Sequence, residues 1–343
     1  MIGSRRLGQS LWVAFLRASG GLWWARRQLR RRGAIVVLML HRVLDEAEWR
    51  QTNSVRGMAV RQRTFEDLAA YLARRCKTVR LDAAEPGTVE RRVKIAITFD
   101  DAWQDTYTNA LPVALARGLP TTVFVCTGLT GLISPFWPER VAAALRARRP
   151  ATAETHLEPL IEYLKGLGPD GRALWTDGLP PAEDDRTGVF EGDRTMTWEE
   201  IAELDRAGVV FGSHTHTHPI LSQVGTGVAR REIGESRAVL ERKLGRHCSA
   251  FAYPNGGWSA ETRRVLAEEG FRLGFTTERN AWTAETDPLA IPRANVCEEN
   301  IAGLRGGFSP AMFEYTAFWK VWQAMRTTGR PLAVKEVRER AAA

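Results

Sequence analysis

Short apolar runs alternate along the chain with longer segments in which apolar residues recur every three or four positions. Continuous apolar runs at 35–40, 93–99 and 121–126 are typical of buried strands, whereas the recurrence at 64–75 and 105–117 predicts helices with one buried face. Thr64 is the expected N-cap of the first of these helices. Further strands are predicted at 77–81, 209–214, 248–253, 273–277 and 290–296, and further helices at 197–207, 228–244 and 259–269.

This alternation of strands and helices favours a parallel sheet, and about eight strands make a closed barrel the simplest topology. We therefore predict an α/β fold, a distorted (β/α) barrel of seven to eight strands with a helical insertion and extra terminal helices. The expected organisation is a basic, Trp-rich helical segment at 1–33, the barrel at 34–300, and a C-terminal helix with a charged, frayed tail at 301–343.

The insertion occupies residues 129–195, where the alternation pauses. Helices are expected at 139–149 and 158–167, followed by a polar, turn-rich stretch at 169–194. A long excursion of this kind is typical of a lid or a substrate wall, and exposed tryptophans suit stacking on sugar rings. The alternative is a structural subdomain in which Trp137 and Trp175 form a small core.

The positive charge is concentrated at the N-terminus. The chain has a net charge of +8, and residues 1–44 contain nine arginines and no acid. The remainder is close to neutral, which argues against a broad nucleic-acid-binding face. Residues 5–32 either contact an anionic membrane through their aromatic side chains or form a terminal helix packed on the domain, and the sequence leaves both open.

The four cysteines have no CxxC spacing and are expected to be buried free thiols in a reducing compartment. Residues 7–25 are interrupted by Gln9, Ser10, Arg17 and the pair Gly20-Gly21, so no secretory signal is predicted. No stretch reaches the roughly 20 apolar residues of a spanning helix. We therefore expect a cytoplasmic protein, peripheral on the inner face of the membrane if residues 5–32 bind lipid.

Two strand ends carry candidate metal ligands. The strand at 93–99 runs directly into Asp100 and Asp101, and the apolar run from residue 209 ends near His214 and His218. Two carboxylates at the end of a buried strand are costly to bury unless they bind a metal ion, take up a proton or share a proton with each other. One aspartate and two histidines would make a three-ligand site with a position left for water, the usual layout of a catalytic zinc.

Two more groups of residues lie immediately after predicted strands or at their ends. Tyr253 ends one strand and is followed by Pro254 and Asn255, and Arg293 lies in the last strand. The carboxyl ends of parallel barrel strands share one face, so these residues are expected to meet the aspartates and histidines there.

These motifs resemble those of the polysaccharide deacetylases of the NodB-homology type, carbohydrate esterase family 4. Residues 98–101 are similar to the first motif, 213–219 to the second and 251–256 to a variant of the third, within a resemblance that covers about 35–296. The resemblance implies a distorted (β/α) barrel, a divalent metal that is usually zinc, and metal-assisted removal of N- or O-acetyl groups from sugars.

Transferred by position, the resemblance implies roles for individual residues. Asp100 would be the general base, and Asp101, His214 and His218 would bind the metal. A backbone N–H near Asn255 would face the oxyanion, with Pro254 fixing the turn. Tyr253 and Trp103 are expected beside the substrate.

Three positions depart from the family pattern. Ala102 stands where the first motif usually has Gly, and Ala252 stands where the third motif often has the Arg that orients the base, so Arg293 is expected to replace that Arg. The late Leu-x-His motif, which supplies a general acid, has no match. Our hypothesis is that His41, at the end of the first strand, protonates the leaving amine.

The sequence thus favours a hydrolase of carbon–nitrogen bonds that removes acetyl groups from a bacterial polysaccharide or its lipid-linked precursor. One alternative is an amidohydrolase acting on a small-molecule amide, since the same chemistry cleaves other amides. The other is a carbohydrate-binding pseudoenzyme in which the altered third and last motifs have abolished catalysis.

Overall fold

A curled parallel sheet forms the centre of the protein. The computed structural model describes residues 4–133, 136–148, 153–179 and 192–327. Its strands are β1 (Ile35–Leu40), β4 (Lys77–Thr78), β5 (Lys94–Phe99), β6 (Thr121–Val125), β7 (Val210–Ser213), β8 (Ala250–Ala252), β9 (Leu273–Phe275) and β10 (Ala294–Asn295), while β2 (Arg42–Leu44) and β3 (Ala59–Arg61) form a separate parallel pair. Seven strands of the sheet follow the order β10-β1-β5-β6-β7-β8-β9, and β4 pairs with β5 outside this path.

The predicted distorted barrel is confirmed. Every residue of β1, β5 and β6 is buried, which explains why these strands appear in the sequence as continuous apolar runs. The two ends of the sheet approach each other through the segment before β10, because Ile291 forms a parallel bridge with Phe275 of β9 while Ala294 pairs with Leu38 of β1. The predicted strand at 77–81 shortens to Lys77–Thr78 and is followed by a 3-10 turn.

Most of the predicted barrel helices are present. Thr197 and Ser259 each form a capping box at the start of a helix. The predicted cap at Thr64 is wrong: its helix begins at Gln62, and the Thr64 hydroxyl donates to Glu298 instead. The helices are α3 (Glu46–Gln51), α4 (Gln62–Arg75), α5 (Leu111–Ala116, preceded by a π-helical turn at Thr106–Ala110), α9 (Trp198–Arg206), α10 (Thr226–Leu244), α11 (Ala260–Glu268) and α12 (Glu298–Ile301).

The described part of the insertion contains three helices, α6 (Trp137–Arg148), α7 (Ala153–Gly166) and α8 (Gly168–Thr176). The third occupies part of the stretch predicted to be turn-rich, and residues 180–191 of that stretch lie outside the described residues. The helices enclose a small core around Val141, Leu157 and Leu164, against which Trp137 packs. Trp175 remains 39% exposed, so only one of the two tryptophans joins this core.

Both chain termini contribute helices that pack together. Helices α1 (Ser4–Ala18) and α2 (Gly21–Arg31) contact the C-terminal α13 (Pro310–Glu314), which continues through a π-helical turn (Tyr315–Trp319) into α14 (Lys320–Thr327). The tail predicted to fray, 335–343, lies outside the described residues. Among the described helices, none combines the length and apolar character needed to cross a bilayer.

Candidate metal centre and active site

Four neighbouring strands deliver their C-terminal residues to one edge of the sheet. Asp100 and Asp101 follow β5, Cys126 follows β6, His214 follows β7, and Tyr253 follows β8. Because β5, β6, β7 and β8 are adjacent and parallel, these residues meet at the same end of the barrel.

Asp101, Cys126, His214 and His218 form a compact group of potential metal ligands. One ligand atom from each lies within 4.8 Å of the others. The Nε2 atoms of His214 and His218 are each 3.5 Å from Asp101 Oδ1. The expected aspartate and two histidines are therefore brought together, with a thiol beside them.

The protein orients both imidazoles. His214 Nδ1 donates to the carbonyl oxygen of Ala252 at 2.7 Å, which leaves the lone pair of Nε2 facing Asp101. The backbone N–H of His218 donates to Thr215 Oγ1 at 2.9 Å, and the ring of Phe136 packs edge-on against the His218 ring. The tautomer needed for metal binding by His214 is thus set by a backbone carbonyl.

The environment of this group fits a divalent cation. Asp101 Oδ1 is buried and has no hydrogen-bond partner among the described residues. Burial, followed by the charge of Asp100, raises the pKa of Asp101 well above its usual value, and burial together with His214 lowers the pKa of His218 well below its usual value. A cation would compensate the Asp101 carboxylate and bind neutral imidazoles, and imidazole with carboxylate suits zinc.

Backbone strain is concentrated at the same place. Five residues other than glycine have φ in the left-handed region within the described part of the chain, and all lie in the three loops that form the site. Strain of this kind persists where surrounding structure enforces it, typically at functional sites. The residues are Asp101 (φ 71°), Ala102 (52°), Thr215 (69°), His218 (63°) and Asn255 (54°).

Asp100 makes a bidentate ion pair with Arg293 beside the metal group. Arg293 Nη1 donates to Oδ1 at 2.6 Å and Nη2 to Oδ2 at 2.7 Å. Burial alone would raise the pKa of Asp100. The opposing effect of the neighbouring positive charges, chiefly Arg293, is larger, so the pKa lies below its usual value. The sequence expectation that Arg293 reaches Asp100 agrees with this geometry.

His41 lies on the other side of the same carboxylate. Its Nε2 is 3.9 Å from Asp100 Oδ2, and its Nδ1 is buried without a hydrogen-bond partner among the described residues. Burial, with smaller contributions from neighbouring charges, lowers the pKa of His41 to about 4. The imidazole is therefore neutral near pH 7.

Trp103 and Tyr253 do not lie where the sequence placed them. Both are fully buried, so they cannot stack on a bound sugar. Trp103 Nε1 donates to Asp101 Oδ2 at 3.2 Å, and the Tyr253 hydroxyl donates to the carbonyl oxygen of Leu289. We reassign them as supports of the site. Asn255 is exposed at the edge of the site and follows the buried Pro254.

A buried polar cluster around Arg42 packs against the indole ring of Trp103. The guanidinium of Arg42 lies over the Trp103 ring at 4.3 Å and donates to Asp105 Oδ2 at 2.8 Å. It also donates to Thr52, Ser54 and Asp193. The cluster thereby fixes the indole that holds Asp101, and through Asp193 it ties the end of the insertion to the barrel.

Cys126, Glu139 and the Arg42 cluster were missed as site components by sequence reasoning. Cys126 is the buried free thiol that the sequence predicts, but it also directly follows β6, the strand between those that carry Asp101 and His214. Glu139, in the first turn of α6, is buried and accepts a hydrogen bond from Ser54 Oγ at 2.9 Å. Position at a strand end was the available signal for Cys126, whereas no local pattern marks Glu139.

Comparisons with known proteins show the family of the chain. A family model described as "Polysaccharide deacetylase" matches residues 88–274, more than half of the chain. The protein YxkH of Bacillus subtilis strain 168, named for polysaccharide deacetylation, is 25% identical over 101 residues, 29% of this chain and 36% of that protein. The poly-beta-1,6-N-acetyl-D-glucosamine N-deacetylase of Staphylococcus epidermidis is 25% identical over 119 residues, 32% of this chain and 41% of that protein. The chain thus matches well under half the length of these curated relatives.

A solved structure extends the likeness to most of the fold. The deacetylase PplD of Streptococcus pyogenes, solved in complex with acetate, superposes with a TM-score of 0.56 and covers 83% of this chain and 98% of its own. The two sequences are 20% identical, so this likeness bears on the fold alone.

Proposed function

The chain belongs to the polysaccharide deacetylase family, and from this premise we propose that it is a metal-dependent deacetylase of a bacterial polysaccharide or its lipid-linked precursor. Hydrolysis of N-acetyl groups is the reaction that we favour over that of O-acetyl groups. The observation that carries the proposal is the meeting of two carboxylates with different partners, since Asp101 faces two imidazoles while Asp100 is held by Arg293.

Asp101, His214 and His218 would hold the cation, which we propose to be Zn2+. When bound, such an ion polarises an acyl carbonyl and makes a bound water molecule more acidic. The ligand set supports this assignment because one carboxylate and two neutral imidazoles leave a coordination position open. Cys126 is a neighbour of this set, and its thiol donates to the carbonyl oxygen of His214 at 3.3 Å.

Asp100 would act as the general base. Its carboxylate lies next to Asp101 in sequence, yet both of its oxygens are engaged by Arg293 rather than by the imidazoles. Arg293 keeps the group ionised and fixes its orientation, so it is ready to accept a proton from water. Arg293 therefore acts as a positioning residue.

The turn after β8 would face the oxyanion that forms at the acetyl carbon. Pro254 is buried and restricts the backbone, while Asn255 adopts a left-handed conformation at the exposed edge of the site. We propose that the N–H of Asn255 donates to the oxyanion, as preorganised backbone donors do in acyl-transfer enzymes.

His41 would protonate the leaving amine. Because the imidazole starts neutral, it would first take up the proton that Asp100 accepts from water and would then pass it to the leaving amine. The nearby Asp100 carboxylate, 3.9 Å from His41 Nε2, supports this assignment since it attracts a proton to the imidazole.

A polymer containing N-acetylglucosamine is the first substrate to test. One relative of this chain is named as an N-deacetylase of poly-beta-1,6-N-acetyl-D-glucosamine, which supports β-1,6-linked oligomers as the leading candidates. Chitin oligomers offer the same acetamido group in a different linkage and serve as the comparison.

The test is acetate release from both oligomers, with the full chain loaded with zinc, with and without a chelator. We expect release that stops on chelation and falls by at least 100-fold in Asp100→Asn, a loss typical of removing a general base. Asp287→Asn, which changes a partly exposed carboxylate, should behave as the wild type. Zinc binding with no release from either oligomer or from other acetylated glycans would contradict the proposal.

A further inference from the structure

Helix α1 exposes an apolar surface that the described residues leave uncovered. Leu7, Leu11 and Phe15 follow one another at intervals of four residues, so they form one stripe along the helix. Leu11 is 65% exposed and Phe15 58%, and Trp12, beside them, stacks on Phe15 with ring centroids 5.4 Å apart. These side chains face solvent, although burial would stabilise each of them.

The opposite side of α1 already attaches the helix to the domain. Val13 and Leu16 pack with Leu22 and Met312 in a small buried cluster. The outer stripe is therefore not needed for attachment, and α1 is apolar on two sides. An exposed apolar stripe that the domain does not use for packing is typical of a helix face that binds another surface.

Helix α2 adds an exposed indole close to the stripe in sequence. Trp23 is 64% exposed, and the guanidinium of Arg27 lies over its ring at 5.6 Å. Tryptophan beside arginine is typical of the boundary between lipid headgroups and acyl chains, because the indole is amphipathic and the guanidinium binds phosphate.

The positive charge of residues 1–44 favours binding to an anionic surface. Residues 1–44 contain nine arginines and no acid. Arg6, Arg17, Arg31 and Arg32 are exposed, and none takes part in an ion pair among the described residues. A second copy of the chain would bring two such cationic surfaces together, whereas an anionic surface would neutralise them.

We propose that α1 and the start of α2 dock the protein onto an anionic phospholipid bilayer. The stripe of Leu7, Leu11, Trp12 and Phe15 would enter the interfacial layer, and the flanking arginines would bind lipid phosphates. Docking of this kind is peripheral. It would bring the deacetylase to substrates held at a membrane, and it does not depend on the metal centre.

The test is co-sedimentation of the full chain with vesicles of phosphatidylcholine alone and of phosphatidylcholine mixed equally with phosphatidylglycerol. We expect the wild type to bind the mixed vesicles and to bind phosphatidylcholine at least ten times more weakly. Raising the salt concentration should release it, since the headgroup attraction is screened. Arg6→Gln and Arg17→Gln should each weaken binding by about fivefold.

Leu11→Glu with Phe15→Glu is the decisive variant, and Leu174→Glu is its matched control. Leu174, in the insertion, is 82% exposed and far in sequence from α1. The double variant should lose vesicle binding and keep its thermal stability and acetate release from soluble oligomers, while the control should bind as the wild type. Equal binding of the double variant and the control, or no binding of the wild type to mixed vesicles, would overturn the proposal.

Concentration-dependent dimerisation that the double variant abolishes, in the absence of vesicle binding, would also overturn it in favour of a second copy. Because acetate release from soluble oligomers is measured separately, failure of membrane docking and failure of the deacetylase assignment are distinguishable.

Discussion

Arg293 and Asp100 lie 193 positions apart in the chain and form a buried, two-point ion pair. The guanidinium has no exposed side-chain surface and also rests over the ring of Phe124 at 5.6 Å. The pair gives Asp100 an environment unlike that of Asp101, its neighbour in sequence, whose buried Oδ1 faces two imidazoles. These different surroundings are the reason why we propose different roles for the two adjacent carboxylates.

Replacing Arg293 should reduce turnover without removing the metal. In Arg293→Lys the charge remains, but the two parallel hydrogen bonds to Asp100 cannot both form. We expect acetate release to fall by 10- to 100-fold, with zinc content unchanged.

The control is Arg263→Lys, which alters a partly exposed ion pair with Asp287. It should change stability by less than about 1 kcal/mol and leave turnover intact. Zinc loss in Arg293→Lys would show that Arg293 supports the metal site rather than the base.

Trp103→Phe should weaken metal binding. The substitution keeps an aromatic ring under Arg42 but removes the N–H that donates to Asp101 Oδ2. Loss of a hydrogen bond to a metal ligand typically lowers affinity by about 10- to 100-fold, so the zinc dissociation constant should rise by that factor. Trp282→Phe, a buried tryptophan in a different cluster, should leave the zinc dissociation constant unchanged.

His41→Ala should separate proton donation from metal binding. His41 faces Asp100 rather than the metal group, so removal of the imidazole should lower turnover at least 10-fold while the zinc content stays the same. Zinc analysis and acetate release on the same sample provide the measurement. Parallel loss of zinc would reassign His41 as a ligand or a structural support.

The pH dependence of stability should report on Glu139. Burial and the nearby Asp193 raise the pKa of Glu139 from 4.5 to about 7. Between these pH values the folded state retains a proton that the unfolded state has released, so this group lowers the free energy of unfolding as the pH rises through that window. Its effect is absent below pH 4.5 and reaches about 3 kcal/mol above pH 7.

Glu139→Gln, which keeps an acceptor for Ser54, should therefore be as stable as the wild type at pH 4.5 and more stable at pH 8. Thermal melts across this range measure the difference. Glu162→Gln, at an exposed glutamate of α7, should give the same profile as the wild type. A difference between Glu139→Gln and wild type that does not grow with pH would contradict this explanation.

The strands that carry the site were predictable because they are buried on both faces. Ile35–Leu40 agrees with the prediction at both ends, and β5 and β6 agree within one residue at each end, since continuous apolar runs have one stable environment in a parallel sheet. Polar residues that directly follow these runs then indicate which edge of the sheet carries the candidate active site. Position at strand ends therefore predicts that Asp100, Asp101, His214 and Arg293 lie together at one edge of the sheet.

The support of the site could not be predicted because it joins residues from remote segments. Arg42 contacts Thr52, Asp105 and Asp193, which lie 10, 63 and 151 positions away from it in the chain. Burial of Trp103 depends on that cluster and on Phe136, which is why an indole next to the first motif was expected at the substrate. The alanine at position 102 gives no local signal of its left-handed conformation. That conformation does explain why the family motif usually has glycine at this position.

The zinc content of the purified full chain decides whether this edge of the barrel is a metal-dependent active site. We expect one zinc ion per chain in the wild type and loss of that ion in each of Asp101→Asn, His214→Gln and His218→Gln, whereas Asp100→Asn should retain the ion and lose acetate release. A chain that binds no divalent ion, or that keeps its ion in all three ligand variants, would contradict the assignment of this edge of the barrel as a metal-dependent active site.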